Sequence, residues 1–435
     1  MKVHSPLFSF TVKKNIIDCL QERGFIEAIS SEELRAAASQ PLKIYVGFDP
    51  TADSLHLGNL VGIMGLAWFQ RFGHTPFAIL GGATGRIGDP SGKSVERPFL
   101  DDSVLDQNVR SLRSFFDKIL PKDAGPKPVV LDNNEWFSRF SLIDFLRDIG
   151  KHFRVGTMIG KEMVRTRLNS EEGISYTEFS YQILQGYDFH HLNRHYGVTV
   201  QMGGSDQWGN ITAGTELNRK LGGPQLFGLT FPLLTRSDGK KFGKSESGAI
   251  WLSPDRLTPY QFFQYLYGVP DADVIRLLKM LTFLPMEEIQ AVERQMKGAS
   301  YVPNSAQKLL ASEVTRFVHG EEGLSAALRV TEGMGPGAKA SLSADVLAEL
   351  AKDMPNADLP RGDVVGQKYV DVAVKIGLLP SKGEASRLIK NGGAYLNNER
   401  VEDPAFLLSE GDLVDGMYLV FSAGKKKRIL VRVSE

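Results

Sequence analysis

The sequence predicts an α/β protein built on a parallel β-sheet. Short apolar segments at 44–48, 76–80, 129–131 and 198–201 are typical of buried strands, and stretches with helical spacing lie between them. Strands that alternate with helices favour parallel pairing, because each crossover between parallel strands needs a long connection. Glycine-rich turns follow the second and fourth of these strands, as expected where a ligand approaches the backbone closely.

Composition excludes several classes of protein. The 435 residues predict two or three domains at roughly 150 residues each, and 42% apolar with 23% charged residues exclude wholesale disorder. Lys plus Arg and Asp plus Glu number 51 each, so a uniformly basic surface for nucleic acid is excluded, although a local basic patch is not. The single cysteine, Cys19, excludes an intrachain disulfide and a cysteine zinc cluster.

Localisation signals are also missing from the sequence. The longest nearly apolar run, 60–69, is roughly half a bilayer span, and residues 1–19 lack the apolar core and cleavage site of a signal peptide. One cysteine in a chain of this length is typical of a reducing compartment. We therefore expect a cytoplasmic protein without membrane association.

Apolar spacing predicts the helices in chain order. The segments predicted as helical are 1–40, 55–72, 103–120, 141–173 and 177–196. Glycines and prolines then punctuate 331–362, which predicts a linker, and 363–435 predicts a small α+β unit.

Two common nucleotide-binding motifs are not supported. The segment 88–94 is one residue short of a P-loop, because Ile87 stands where the first glycine belongs. The dinucleotide pattern G-x-G-x-x-G also fails around 81–88.

Two other segments predict a phosphate site. His56-Leu57-Gly58-Asn59 opens a predicted helix, whose free N–H groups and partial positive charge suit phosphate. Far downstream, Lys240-Lys241-Phe242-Gly243-Lys244-Ser245 follows a glycine turn, where lysines can neutralise charge that develops in a transition state.

Together these segments resemble the HIGH and KMSKS signatures of class I aminoacyl-tRNA synthetases. Further matching blocks are 45–56, 81–85, 89–93, 181–188 and 203–210. In this order the blocks resemble bacterial-type tyrosyl-tRNA synthetases over nearly the whole chain. Asn59 departs from the family pattern, where histidine is usual, although an amide can still bind a ribose hydroxyl.

The resemblance implies a Rossmann-like catalytic domain, a helical segment and an S4-like RNA-binding domain. The implied boundaries are 1–230 for the catalytic domain with a dimerisation insertion, 231–330 for the loop and helical domain, 331–362 for the linker and 363–435 for the S4-like domain. The implied reaction joins L-tyrosine to tRNA(Tyr), with ATP as a substrate that carries its own Mg²⁺ and with no metal bound by the protein. A homodimer is also implied, with 137–181 at its interface.

The resemblance assigns a role to each matching residue. The residues assigned to tyrosine are Tyr45 and Asp188 at the phenol hydroxyl, Asp89, Tyr181 and Gln185 at the α-ammonium group, and Gln207 at the carboxylate. Those for ATP and the adenylate are Gly47, Asp49, His56, Gly58, Asn59, Gly204, Asp206 and Lys244. Those for the leaving phosphates are Thr51, His56, Lys93, Arg97, Lys241 and Lys244. Those for tRNA are Lys382, Arg387 and Lys390.

Three alternatives follow from the same residues. Tryptophan activation would use the same fold, but an indole has no hydroxyl for the Tyr45 and Asp188 pair. An RNA-binding protein that has lost catalysis would not need His56 and Lys244. His191 and His195 have metal-ligand spacing, but without the glutamate of HExxH we interpret them as packing or surface groups.

Overall fold

The computed structural model describes residues 14–92, 99–120, 123–239, 242–245, 248–333, 347, 351, 354–424 and 427–434. Lys93, Arg97 and Lys241 lie outside these residues. The chain divides into two compact units, one of Met1–Arg256 with Leu266–Val314 and one of Leu257–Tyr265 with Thr315–Glu435. Among the described residues, no helix has both the length and the apolarity needed to cross a membrane.

The first unit contains a six-stranded sheet in the order β1-β6-β5-β2-β3-β4. Its strands are β1 (Ala28–Ile29), β2 (Lys43–Phe48), β3 (Thr75–Leu80), β4 (Val129–Asp132), β5 (Val200–Gly204) and β6 (Phe227–Phe231). Every pair is parallel except β1 with β6. The predicted α/β fold with a parallel sheet is therefore confirmed.

Helices connect and flank these strands. They are α1 (Ile16–Glu22), α2 (Glu33–Ala37), α3 (Leu60–Arg71), α4 (Asp102–Ile119), α5 (Asn134–Phe137), α6 (Leu142–Asp148), α7 (Val155–Ile159), α8 (Glu162–Leu168), α9 (Tyr176–Tyr196) and α10 (Trp208–Lys220). All residues of β5 and β6 are buried, as expected for central strands that are covered on both faces.

The order in which successive strands are added to the sheet changes sides at β2. From β2 the chain proceeds to β3 and β4 on one side, and later to β5 and β6 on the other. Parallel sheets bind ligands in the crevice at the carboxyl ends of such strands. The turns that follow β2, β3, β4 and β5 therefore define the place to look for a site.

Two local expectations were wrong. The segment 1–40, predicted as helical, contains strand β1 between α1 and α2 in its described part. The helix predicted over 55–72 begins at Leu60, because the residues before it pair with a later segment of the chain. The Leu57 N–H donates to the Ile250 carbonyl over 2.8 Å, and the Leu252 N–H donates to the Leu55 carbonyl over 2.9 Å.

After β6 the chain forms a short hairpin and then helices. The hairpin strands are β7 (Lys244–Ser245) and β8 (Gly248–Ala249), which pair antiparallel. The helices are α11 (Pro259–Tyr267), α12 (Asp271–Leu281), α13 (Met286–Met296) and α14 (Ser305–Gly333), with a break in α14 at Gly320.

The second unit contains a five-stranded sheet in the order β11-β10-β12-β13-β9. Its elements are β9 (Asn356–Pro360), α15 (Tyr369–Lys375), α16 (Lys382–Lys390), β10 (Ala394–Leu396), β11 (Glu399–Arg400), β12 (Tyr418–Ala423) and β13 (Lys427–Ser434). Strand β9 lies within the segment predicted as a linker, yet it pairs in parallel with β13. Pro360 in this strand and Pro355 directly before it suited a linker prediction, but an edge strand tolerates proline because one side of it needs no partner.

Candidate active site

One helix face carries three of the predicted tyrosine-binding residues. Tyr181, Gln185 and Asp188 are spaced by four and three residues along α9, so they share a face. Ser175 caps the helix, since its hydroxyl accepts from the Glu178 N–H over 3.2 Å. The cap fixes where α9 begins and so which residues face the crevice.

Asp188 is a buried carboxyl group held by two donors. Its side chain is 4% exposed. The Trp136 indole N–H donates to Oδ1 over 2.8 Å, and the Asn133 amide donates to Oδ2 over 3.1 Å. Burial raises the pKa of Asp188 to about 8, although both hydrogen bonds act in the opposite direction. This acceptor is therefore fixed in place at considerable electrostatic cost, which is common in functional sites.

Tyr45 supplies a second polar group beside it. The side chain is 1% exposed, and its hydroxyl has no hydrogen-bond partner among the described residues. Burial, with the Asp188 charge as a further cause, holds the pKa of Tyr45 well above its usual value. A buried hydroxyl without a partner next to a carboxylate suits a ligand hydroxyl, which can donate to one group and accept from the other.

A hydrogen-bonded chain continues from Asp188 towards β2. The Asn133 amide also donates to the Thr84 hydroxyl over 2.9 Å, and that hydroxyl donates to Asp49 Oδ1 over 2.8 Å. The Tyr181 hydroxyl donates to Asp49 Oδ2 over 2.8 Å. Asp49, assigned to the adenylate, and Tyr181, assigned to the tyrosine ammonium group, are thus directly linked.

Close packing around Asp49 explains the first glycine after β3. A Cβ atom on Gly81 would lie 2.1 Å from Asp49 Oδ1 and 2.5 Å from the Thr84 hydroxyl. No side chain fits in that space, so the network needs glycine there.

Asp89 belongs to a second polar cluster with the turn after β5. The Gln207 amide donates to Asp89 Oδ2 over 2.7 Å, and the Ser91 N–H donates to Oδ1 over 2.9 Å. The Asn210 amide, fully buried, donates to Gln207 Oε1 over 3.2 Å. Asp89 and Gln207 were assigned to opposite ends of the amino-acid backbone, and the structure places them side by side.

The adenylate side of the crevice is open at Gly47 and tight at Gly204. Nothing lies within 4 Å of a Cβ atom built on Gly47, which is exposed although it sits in a central strand. A Cβ on Gly204 would lie 2.6 Å from Asp206 Oδ1. Thr51 is exposed in the turn after β2, where its N–H donates to the Asp49 carbonyl.

His56 and Asn59 form a compact turn ahead of α3. The Gly58 N–H donates to His56 Nδ1 over 3.1 Å, and the His56 N–H donates to Asn59 Oδ1 over 3.0 Å. His56 lies four residues before the first residue of the helix, with its ring tilted against that of Trp251 at a centroid distance of 6.4 Å.

The second signature packs directly against this turn. A Cβ atom on Gly243, whose φ is +85°, would lie 3.2 Å from the Gly58 nitrogen and 3.2 Å from the Leu57 Cβ. Gly243 also accepts from the Ile250 N–H over 2.9 Å. Exposed Lys244 follows at once, so the fold brings this lysine to the turn that carries His56.

The sequence analysis missed the donors that hold Asp188. Asn133 and Trp136 lie more than fifty residues before Asp188, and no pattern linked them to it. Asn133 stands directly after β4, at the edge where ligands bind, so strand-end position was the signal available. Of the two histidines, His191 stacks on the Trp136 ring at a centroid distance of 4.5 Å, in agreement with the packing interpretation.

Comparisons with known proteins decide between the remaining families. Residues 37–334 match the family described as tRNA synthetases class I (W and Y), and residues 346–431 match the tyrosine–tRNA ligase SYY-like C-terminal domain. The tyrosine–tRNA ligase of Protochlamydia amoebophila is 56% identical over 97% of this chain and 99% of its own length. The chain belongs to the tyrosine–tRNA ligase family.

Two further relatives of the tyrosine–tRNA ligase family agree. The chloroplastic/mitochondrial tyrosine–tRNA ligase of Arabidopsis thaliana is 53% identical over 97% of this chain and 84% of its own length. A C-terminally truncated mitochondrial tyrosyl-tRNA synthetase of Aspergillus nidulans superposes with a TM-score of 0.64 at 31% identity, over 72% of this chain and 92% of that one. The predicted family is confirmed, and the tryptophan alternative loses its support.

Proposed function

We propose that the protein activates L-tyrosine with ATP and then transfers it to the 3′ end of tRNA(Tyr). The observation that carries this proposal is the buried Asp188 carboxyl beside the unpartnered Tyr45 hydroxyl. Phenylalanine in that pocket would leave the buried Tyr45 hydroxyl without a ligand partner and would give Asp188 no ligand donor beside Asn133 and Trp136, which costs binding in a buried site. Discrimination of this kind needs no editing step.

The first step forms tyrosyl-adenylate. A carboxylate oxygen of tyrosine attacks the α-phosphorus of ATP, the bond to the bridging oxygen breaks, and pyrophosphate leaves with Mg²⁺. Asp89, Tyr181 and Gln185 surround the ammonium group of tyrosine in this proposal, and Gln207 orients the carboxylate. This chemistry needs positioning and charge stabilisation more than a protein nucleophile.

The leaving phosphates lie on the other side of the crevice. Thr51 and His56 bind them at the turn before α3, and Lys244 neutralises their charge from the loop that packs on Gly58. We propose that the leaving phosphates are also bound by Lys93, Arg97 and Lys241, which lie outside the described residues.

The second step transfers tyrosine to tRNA. A hydroxyl of the terminal adenosine attacks the activated carbonyl carbon, and AMP leaves with the electron pair of the broken anhydride bond. The adenylate lies along Gly47 and Gly204, with Asp206, Gly58 and Asn59 at its ribose and base.

Helix α16 is the proposed tRNA contact of the second unit. Ala385 and Ile389 are buried, which directs Lys382, Arg387 and Lys390 away from the core. Lys382 pairs with Asp371 over 2.8 Å, so tRNA phosphates would have to compete with that carboxylate.

We further propose a cytoplasmic homodimer. Large apolar side chains are exposed on the segment assigned to its interface, including Leu142 at 72%, Ile143 at 67% and Tyr176 at 73% exposure. Large apolar side chains exposed to this degree are expected where a protein interface covers them. Sedimentation of wild-type protein and of Leu142→Glu tests the dimer, since the charged variant should sediment as a monomer.

Amino-acid-dependent ATP–pyrophosphate exchange without tRNA tests the function. Among the twenty amino acids, tyrosine alone should support exchange. Exchange with tryptophan would refute the role of Asp188 while preserving the fold. Absence of exchange with every amino acid, in folded protein with Mg-ATP, would refute adenylation and favour an RNA-binding role.

A further inference from the structure

A buried carboxylate on α12 holds the turn that precedes the second signature. Asp273 is 3% exposed, and its Oδ2 accepts from both the N–H and the hydroxyl of Ser237 over 3.0 Å each. Ser237 lies in the turn at 235–239, three residues before Lys240, where the second signature begins. A carboxylate buried to this degree needs such partners to be tolerated.

Arg276 reinforces the same contact one helical turn later. Its guanidinium donates to the Thr235 carbonyl and lies 3.5 Å from Asp273 Oδ1. The two residues are spaced i, i+3, so they lie on one face of α12. Helix α12 therefore holds the 235–239 turn at two points, by a carboxylate and by a cation.

The chain beyond this turn is held on its other side by the first signature. The Phe242 N–H donates to the Leu234 carbonyl over 3.0 Å, which brings Phe242 beside the residue that precedes the 235–239 turn. Gly243 then packs on Leu57 and Gly58, directly before Lys244. The position of Lys244 thus depends on two anchors, the turn held by α12 and the contact with Gly58.

We propose that Asp273 and Arg276 are positioning residues that orient Lys244 for tyrosine activation. The inference rests on the proposed function. Neither side chain is placed among the tyrosine or adenylate contacts, so each acts through the 235–239 turn. A displaced Lys244 would stabilise the transition state less while leaving the tyrosine pocket unchanged.

A purely structural role makes a different prediction. Acidic residues in the first turn of a helix stabilise it through the helix dipole, and Asp271 and Asp273 both lie in the first turn of α12. Such a role would make the two residues similar in effect and would alter stability rather than the rate of one step. Asp271 is exposed and bonded to Gln307, so it serves as the matched control.

The experiment compares Asp273→Ala with Asp271→Ala in the full-length protein. Single-turnover adenylate formation, tyrosine affinity at equilibrium and thermal unfolding are measured for each. We expect Asp273→Ala to slow adenylate formation by about 10- to 100-fold, with tyrosine affinity changed by less than about 2-fold. Asp271→Ala should retain the wild-type rate. Asp273→Asn, which keeps an acceptor for Ser237, should recover part of the rate.

Milder variants cover the case in which Asp273→Ala does not fold. Ser237→Ala and Arg276→Ala each remove one contact and should slow the same step by about 3- to 10-fold. An unchanged rate in folded variants, or an equal loss of tyrosine affinity, would overturn the inference. Those results leave wild-type exchange with tyrosine intact, so they differ from a failure of the proposed function, in which the wild type itself is inactive.

Discussion

The two halves of the crevice are built differently. Of the side chains assigned to the tyrosine ring and ammonium group, Tyr45, Tyr181 and Asp188 are buried, and Asp89 and Gln185 are half-buried. Hydrogen bonds join Asp188, Asn133, Thr84, Asp49 and Tyr181 in one chain. Of the described groups assigned to the phosphates, Thr51 is exposed in the turn after β2, Lys244 is exposed in the short strand β7, and His56 is half-buried before α3.

The difference matches the two tasks of the reaction. Selecting tyrosine needs a rigid acceptor that is already in place, because discrimination comes from leaving buried groups unpaired when the wrong ligand enters. Stabilising the departing phosphates needs contacts that strengthen in the transition state, and exposed side chains can provide these without holding ATP tightly beforehand.

The largest expected loss of activity follows substitution of Asp188, in the tyrosine half of the crevice. Asp188→Ala should lower kcat/KM for tyrosine in pyrophosphate exchange by roughly 1,000-fold or more, because the phenol loses its acceptor and the Asn133 and Trp136 donors lose theirs. Asp117→Ala on the exposed face of α4 is the control. Near-normal exchange in folded Asp188→Ala would contradict our assignment of the phenol site.

Lys244 tests the other half of the crevice. Lys244→Ala should lower the rate of adenylate formation by about 100-fold, as expected for the loss of one charge that stabilises a transition state. Tyrosine affinity, measured at equilibrium, should stay at the wild-type value because Lys244 lies in the phosphate half. A parallel loss of tyrosine affinity would show that the two halves are not independent.

Local patterns predicted the interior of the first unit well. Continuous apolar runs predicted β2, β3 and β4, and helical spacing of apolar residues predicted α4. Helix α9 was predicted although its aromatic residues lie on several sides. Strand β6 was not predicted. Strand β1 was predicted as helix, because a two-residue edge strand exists only through its pairing with Thr230 and Leu229. Such an element has almost no pattern of its own.

The residues of the candidate site divide in the same way, into those with a local sequence pattern and those without one. Residues in recognisable blocks were assigned roles from the sequence, whereas Asn133 and Trp136, and Thr84 within the block 81–85, were not, since their contacts cross the crevice. The start of α3 was misplaced for a related reason. Residues 55–57 are apolar enough to extend the helix, but their pairing with 250–252 satisfies the backbone in an extended form instead. Tertiary hydrogen bonds between distant segments leave no local signal.

The last expected effect is on stability rather than on rate, and it concerns the tyrosine pocket. The pKa of Asp188 is raised to about 8 by burial, against an ordinary value of about 3.9 in the unfolded chain. Between these values the folded protein retains a proton that the unfolded chain releases, so stability falls as the pH rises, by up to about 1.4 kcal/mol per pH unit. The contribution is complete below about pH 4 and is lost as the pH passes 8.

Asp188→Asn removes this dependence because an amide does not titrate. The melting temperature of the variant relative to wild type should therefore rise progressively from pH 5 to pH 8, while Asp117→Asn should show no such trend. A constant difference across that range would mean that Asp188 is already ionised in the folded protein. The acceptor would then be held by Asn133 and Trp136 strongly enough to offset its burial, and the tyrosine half of the crevice would be even more completely preorganised than the geometry indicates.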